Sequence, residues 1–243
     1  MRLADGTALA RAQQQADAGQ ARRSRAASGT GAAGPGRPGD NAQDTVPGEG
    51  DAVFAAAAAA LQAGRDAVIE VRDDLEFEDW PAPKRLAPYA LAFEATAYRD
   101  GVEAGTGRIV LLHDPAGQDG WAGTFRVVAQ VTADVEEEMA ADPLLGEVGW
   151  SWLTDALDLH APGYQAPSGT VTRVITEGFG VKSEDPQVTA FELRASWSPA
   201  EDEIAGSVLA WCDLLVAATG LPAQPPGTRA LGTRGGPGGR RRR

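Results

Sequence analysis

The amino-acid sequence predicts an α+β fold: one antiparallel sheet of about five strands with helices packed on it, in the order α-β-β-β-α-β-β-α. Three observations carry that expectation. The middle of the chain repeats short runs in which every second residue is apolar, separated by Gly and Asp turns, which is the signature of half-buried strands joined as hairpins. Three further segments carry helical periodicity with start and stop residues at their ends. The flanking segments 1–50 and 221–243 contain no aromatic residue and are rich in Gly, Ala, Arg and Pro. Such segments bury too little apolar surface to offset the entropy of ordering, so both are expected to be disordered, leaving 51–220 as a single α+β domain.

"DAVFAAAAAALQAGR" (51–65) is a strong helix former, with Asp51 placed to cap it and Gly64 near its end. The acidic, proline-punctuated stretch up to Pro88 reads as an ordered loop with one short edge strand at 68–71. "YALAFEATAY" (89–98) sets Tyr89, Leu91, Phe93, Ala95 and Ala97 on one side of a strand, "GRIVLLHD" (107–114) is apolar on both faces, and "TFRVVAQVTADV" (124–135) alternates cleanly. A helical region begins at the Asp134/Glu137 pair, restarts at Asp142-Pro143 and runs to about His160. "TVTRVITEGF" (170–179) and "VTAFELRASW" (188–197) form a second hairpin, with Phe191, Leu193, Ala195 and Trp197 sharing a face. The last helix opens on Ser198 as cap, Pro199 as first residue and Glu201 as capping-box partner. Its stripe is Ile204, Val208, Trp211, Cys212 and Leu215, and Gly220 and Pro222 stop it.

The middle helix has two apolar sectors. Val148, Leu159, Trp152, Leu145 and Ala156 form an ordinary core stripe, and Gly146, Gly149, Trp150, Leu153 and Leu157 continue it around the helix. One sheet face cannot cover so wide a sector, and two glycines inside a helix imply close packing. The second sector is therefore expected to be a partner or homodimer interface, with Trp152 in the core and Trp150 at the contact, the alternative being that the first helix or a loop of the same chain covers it.

Charge narrows the function classes. The chain carries −12 overall, but 51–220 alone holds ten basic against 29 acidic residues, a net −19, while 221–243 holds six Arg and no acid. So acidic a domain repels nucleic acid and anionic lipid. Cys212 is the only cysteine, which excludes an internal disulfide and a cysteine metal site. No signal-peptide core is present and no apolar run approaches the roughly 18 residues of a membrane span. A soluble cytoplasmic protein with no membrane partner, cofactor or metal is expected.

Catalytic patterns are few. His113 in "LLHDPAG" ends a strand, and its neighbour Asp114 points to the opposite face. His160 ends a helix, where an imidazole near the terminal carbonyls is ordinary. The acidic clusters "VEEEM" and "VRDDLEFED" lack the calcium-loop and H-E-x-x-H spacings, and "GTGRIV" leads into a strand and not into a helix. No nucleophile elbow or phosphate-binding loop occurs, so no catalytic residue is assigned. The competing reading is an RNA-processing enzyme or accessory subunit acting through His113 and nearby carboxylates. Lys84 and Arg85 in "PKRLAPY" are candidates to meet an acidic peptide or partner, or the acidic loop before them.

Together, "PAPKRLAPYALAF", "GRIVLLHDPAGQDGWAGTFRVVAQV", "EMAADPLLGEVGWSWLTDAL", "SGTVTRV" and "AWCDLLVAATGLP" resemble an actinobacterial domain-of-unknown-function family, number 3000, over nearly all of 51–225. The resemblance implies a soluble cytoplasmic protein and brings no catalytic residues. At the level of topology the element order is similar to that of type III secretion chaperones, whose middle helix commonly forms the dimer interface. The expectation is a non-enzymatic, chaperone-like binding protein of unknown partner, homodimeric through its middle helix.

Overall fold

The computed structural model describes residues 49–184 and 187–223. The expected disorder of the two ends lies outside these residues, apart from Glu49 and Gly50, which open the first helix, and 221–223, which follow the last. The elements are α1 (Glu49–Ile69), β1 (Leu75–Trp80), β2 (Tyr89–Arg99), β3 (Val102–His113), β4 (Phe125–Asp134), a single turn α2 (Glu137–Ala141), α3 (Leu145–His160), β5 (Gln165–Thr176), β6 (Val188–Ser198) and α4 (Ile204–Ala218). All six strands join one antiparallel sheet in the order β1-β2-β3-β4-β6-β5. The fold is the α+β class expected, with one strand more than the sequence suggested.

The extra strand corrects the reading of the acidic loop. The alanine-rich helix does not stop at Gly64. Ala57, Leu61, Gly64 and Val68 make one buried stripe along α1, and a Cβ at Gly64 would lie 2.6 Å from the Ala205 carbonyl oxygen of α4. Burial of Val68 on that stripe carries the helix through 68–69, where a strand was expected. The edge strand is instead β1, where Leu75 and Phe77 alternate with acids and Phe77 meets the Trp211 ring edge-on at 6.2 Å. Its acidity hid an ordinary alternation. The same helix overturns the expectation that no segment reaches membrane-span length, since Gly50–Ile69 is long and apolar enough by length and composition. A run of alanines counts as apolar when averaged, although here one side of the helix packs on α4.

Helix α4 is the keystone of the helical layer. It lies on β3 and β4 and is flanked by α1 and α3. Ile204, Val208, Trp211, Cys212 and Leu215 are all buried, as their spacing predicts, and so are residues on its remaining sides. The sheet meets it with Phe93, Ala95, Val127, Ala129, Val131, Phe191, Leu193 and Trp197, inward as strand alternation predicts, and with Ile109 and Leu111 of β3, whose sequence is apolar on both faces. Trp197 donates to Ser207 Oγ at 3.1 Å and Trp211 to the Gln130 carbonyl at 3.4 Å, so neither buried indole lacks an acceptor. Gly107 of β3 lies under Trp211, whose ring a Cβ there would meet at 2.9 Å. Ser198 is not a helix cap. It closes β6, and its buried Oγ accepts the Ala122 N–H at 3.0 Å, while the helix begins beyond it with a single 3-10 turn at Glu201–Glu203.

Candidate functional site

The buried face of α3 takes residues from both sectors that the sequence separates. Gly149, Leu153 and Leu157, assigned to a partner interface, are buried in this chain's own core. A Cβ on Gly149 would stand 2.6 Å from the Phe191 ring, so this glycine serves close packing onto the sheet and not onto a second molecule. Trp150 is half-buried against Gly169 of β5, and Gly146 has nothing within 4 Å of where its Cβ would be. Of the residues read as core stripe, Leu145 and Ala156 are buried, but Val148, Leu159 and Trp152 are left wholly or partly outside, next to Leu144. Leu144 is 56 % exposed, Val148 40 % and Leu159 70 %, and Trp152 is half-buried with its ring edge-on to Phe191 at 5.9 Å. Helical periodicity reveals two apolar sectors but not which one meets the sheet, because both satisfy the same spacing.

The exposed sector of α3 forms one wall of a groove of about 530 Å³. Trp152, Ala156 and Leu159 face Val216 and Ala217 of α4, and Leu221 closes the end. Carboxylates mark its edges: Asp155 on α3, and Asp213 on α4, which pairs with His160 Nε2 at 2.7 Å. The end wall is held in place by Arg72, which bonds Asp74 through both carboxylate oxygens at 2.8 and 2.7 Å and also donates to the Pro222 carbonyl at 3.3 Å. Asp213 and Leu221 were legible only as a helix-surface acid and a post-helix residue. Their part in the groove depends on how α4 crosses α3.

His113 does not gather carboxylates. Its ring is buried among Phe125 at 4.3 Å, Tyr89 at 5.6 Å and Phe54 at 6.3 Å between ring centres. Nδ1 lies 3.1 Å from the Thr124 carbonyl, which fixes it as the donor, and Nε2 is buried without a partner. Asp114 turns away to accept the Ala116 N–H and the Gln118 amide. The Tyr89 hydroxyl, bonded to Asp51, has its pKa raised first by that hydrogen bond and then by burial. Lys84 and Arg85 lie exposed in the turn before β2, away from the groove lining. Among the described residues no three His, Cys, Asp or Glu side chains lie together in a way that could hold a metal ion.

Cys212 is buried on α4, and burial raises its thiol pKa far above the ordinary value, with Asp213 adding to the effect and Arg72 opposing it. An unreactive thiol is the expected result. Iodoacetamide should leave Cys212 unmodified in the native protein at mildly alkaline pH and label it fully in denaturant, as read by intact mass. Rapid labelling of the folded chain would place the thiol at an accessible surface.

No curated protein and no solved structure matches the chain. The family model described as protein of unknown function (DUF3000) matches residues 51–228, covering nearly all of the described fold, and the chain belongs to that family.

Proposed function

We propose that the protein is a non-enzymatic, chaperone-like binding protein whose α3–α4 groove receives an apolar segment of a partner protein bearing cationic side chains. The observation that carries this reading is the groove itself, an apolar floor with Leu159 70 % exposed at its rim and carboxylates at its edges. Contiguous exposed apolar surface of this kind marks interaction sites. Asp155 and Asp213, on a domain of net −19, complement Lys or Arg. His113, enclosed by aromatic rings with Nδ1 on the Thr124 carbonyl, gives the RNA-processing alternative little to act with. A second copy of the chain is the other occupant to weigh, since Leu144, Val148, Trp152 and Leu159 form a stripe along one side of α3. A symmetric pair across it would bring Asp155 and Glu147 of both copies together, so like charge opposes that arrangement.

Selection of displayed peptides on the full chain tests the reading. Sequences alternating Leu or Phe with Arg or Lys should be enriched, and their affinity should fall with added salt because the ion pairs are exposed. Leu159→Asp and Trp152→Ala should each weaken the best peptide by at least about tenfold, the cost of removing a central apolar contact. Binding by both variants as tight as that of the parent would overturn the groove. Sedimentation velocity distinguishes self-association, which would strengthen with salt.

A further inference from the structure

The inward residues of the strands meet the helical layer, and those between them stack in cross-strand rows on the opposite face, which is buried at Ala92, Leu112 and Arg126 and exposed at Ser168 and Thr170. One row runs Val110, Val128, Ser196, Ser168, and the next runs Arg108, Gln130, Arg194, Thr170. Arg126 stands on β4 two residues from Val128, on the other side of the serines from Arg194. The two guanidinium groups therefore flank the serine pair on the same face, each displaced by about 7 Å along the strands.

Arg126 is the unusual member, only 7 % exposed. Nη2 donates to Ser196 Oγ at 2.8 Å and Ser168 Oγ at 3.3 Å, and Nη1 to the Ala166 carbonyl at 3.0 Å and Ser198 Oγ at 3.4 Å. Every acceptor is neutral. Arg72, equally buried, meets a carboxylate at both of its oxygens, whereas among the described residues no carboxylate pairs with Arg126. Burial lowers the pKa of Arg126, with no neighbouring negative charge to raise it. A buried charge without a counter-charge is costly and calls for an explanation.

The hydroxyls supply one. A serine oxygen that accepts from a guanidinium still has its own proton to donate. Ser168 and Ser196, with Oγ atoms 3.4 Å apart, line a shallow depression of about 390 Å³ together with Thr170, Arg194 and Val128. Glu192 is engaged by Gln130 and Arg194, which leaves the Arg126 charge unbalanced.

We propose that this depression binds the phosphate group of a small phosphorylated ligand, with Ser168, Ser196 and Thr170 donating to its oxygens and Arg126 supplying charge from behind. A tetrahedral group fits donors that approach from several strands better than a planar carboxylate does, and Val128 offers a floor for an apolar substituent. Arg126 also holds the β5 edge, since Ala166 lies in the left-handed region at φ 48° where the β5–β6 register shifts. Substitution of Arg126 can therefore disturb folding, so the serines are the sounder probes.

The test titrates the full chain with inorganic phosphate and phenyl phosphate at constant ionic strength, using chloride as control, by calorimetry and amide chemical shifts. Saturable shifts should centre on Ser168, Thr170 and Ser196, and phenyl phosphate should bind more tightly. The double variant Ser168→Ala/Ser196→Ala should lose at least about tenfold in affinity, as expected for removing hydrogen bonds to a charged group. Because the variant also removes both acceptors of Arg126 Nη2, its melting temperature without phosphate should fall modestly, while far-ultraviolet circular dichroism should match the parent and show that the fold is kept. Leu159→Asp, on the helical layer, should leave phosphate binding unchanged. Non-saturating shifts spread over exposed basic residues, or undiminished binding by the double-serine variant, would overturn the site and leave Arg126 a structural tie.

Discussion

Leu153→Asp is expected to leave no folded protein, whereas Leu159→Asp on the same helix keeps the fold and loses only partner binding. Leu153 is fully buried and Leu159 is 70 % exposed. Removing the buried leucine costs about 2–5 kcal/mol in transfer and cavity energy. Placing a carboxylate there without a partner costs several more or forces it to protonate. Together these approach the 5–15 kcal/mol that holds a typical domain together. An exposed substitution stays within about 0.5 kcal/mol. Near-ultraviolet circular dichroism and urea unfolding read the contrast directly. A folded Leu153→Asp monomer beside an unfolded Leu159→Asp would restore the orientation of α3 that periodicity alone suggested, with Leu153 and Leu157 outward.

That contrast marks where the sequence was legible. Strands β2, β4 and β6 carry alternation strong enough to name their buried residues, whereas β3 is apolar on both faces and ends in three consecutive buried residues, so its sequence does not name its inward side. Helix α4 was legible because its stripe has a single polar boundary, at Asp213. Strand β1 was hidden because its outward positions are acids, which look like loop when read by composition. The face of α3 was ambiguous because Val148 and Leu159 are as apolar as Leu153 and Leu157, and only the contact of Gly149 with Phe191 selects between them. The groove belongs to the crossing of two helices, and the serine–arginine cluster to the register of three strands. Neither has a linear spacing. The local signal for the cluster is an arginine at a position of β4 whose flanking alternation is otherwise apolar and small, which reads as an ordinary outward residue until the strands are paired.

The crossing of α3 and α4 yields the last prediction, Gly206→Ala. Alanine in place of glycine within a helix ordinarily gains up to about 1 kcal/mol. At Gly206, however, the new Cβ would lie 1.9 Å from the His160 carbonyl oxygen and 2.8 Å from its carbon. Both are backbone atoms at the end of α3, so no rotamer change relieves the contact and the helices must move apart. Overpacking of this kind costs about 1–3 kcal/mol, and the upper end applies where backbone must yield. The clash therefore outweighs the propensity gain, and a net loss of about 2 kcal/mol should lower the melting temperature by about 4–8 °C for a domain of this size. Gly146→Ala is the matched control, because nothing lies within 4 Å of its Cβ and only the propensity term operates. It should hold or slightly raise the melting temperature. The same displacement would part His160 from Asp213, now 2.7 Å apart, and widen the groove, so Gly206→Ala should also weaken peptide binding while Gly146→Ala does not. Two variants with equal melting temperatures would show that α3 and α4 do not cross at the distance that shapes the groove.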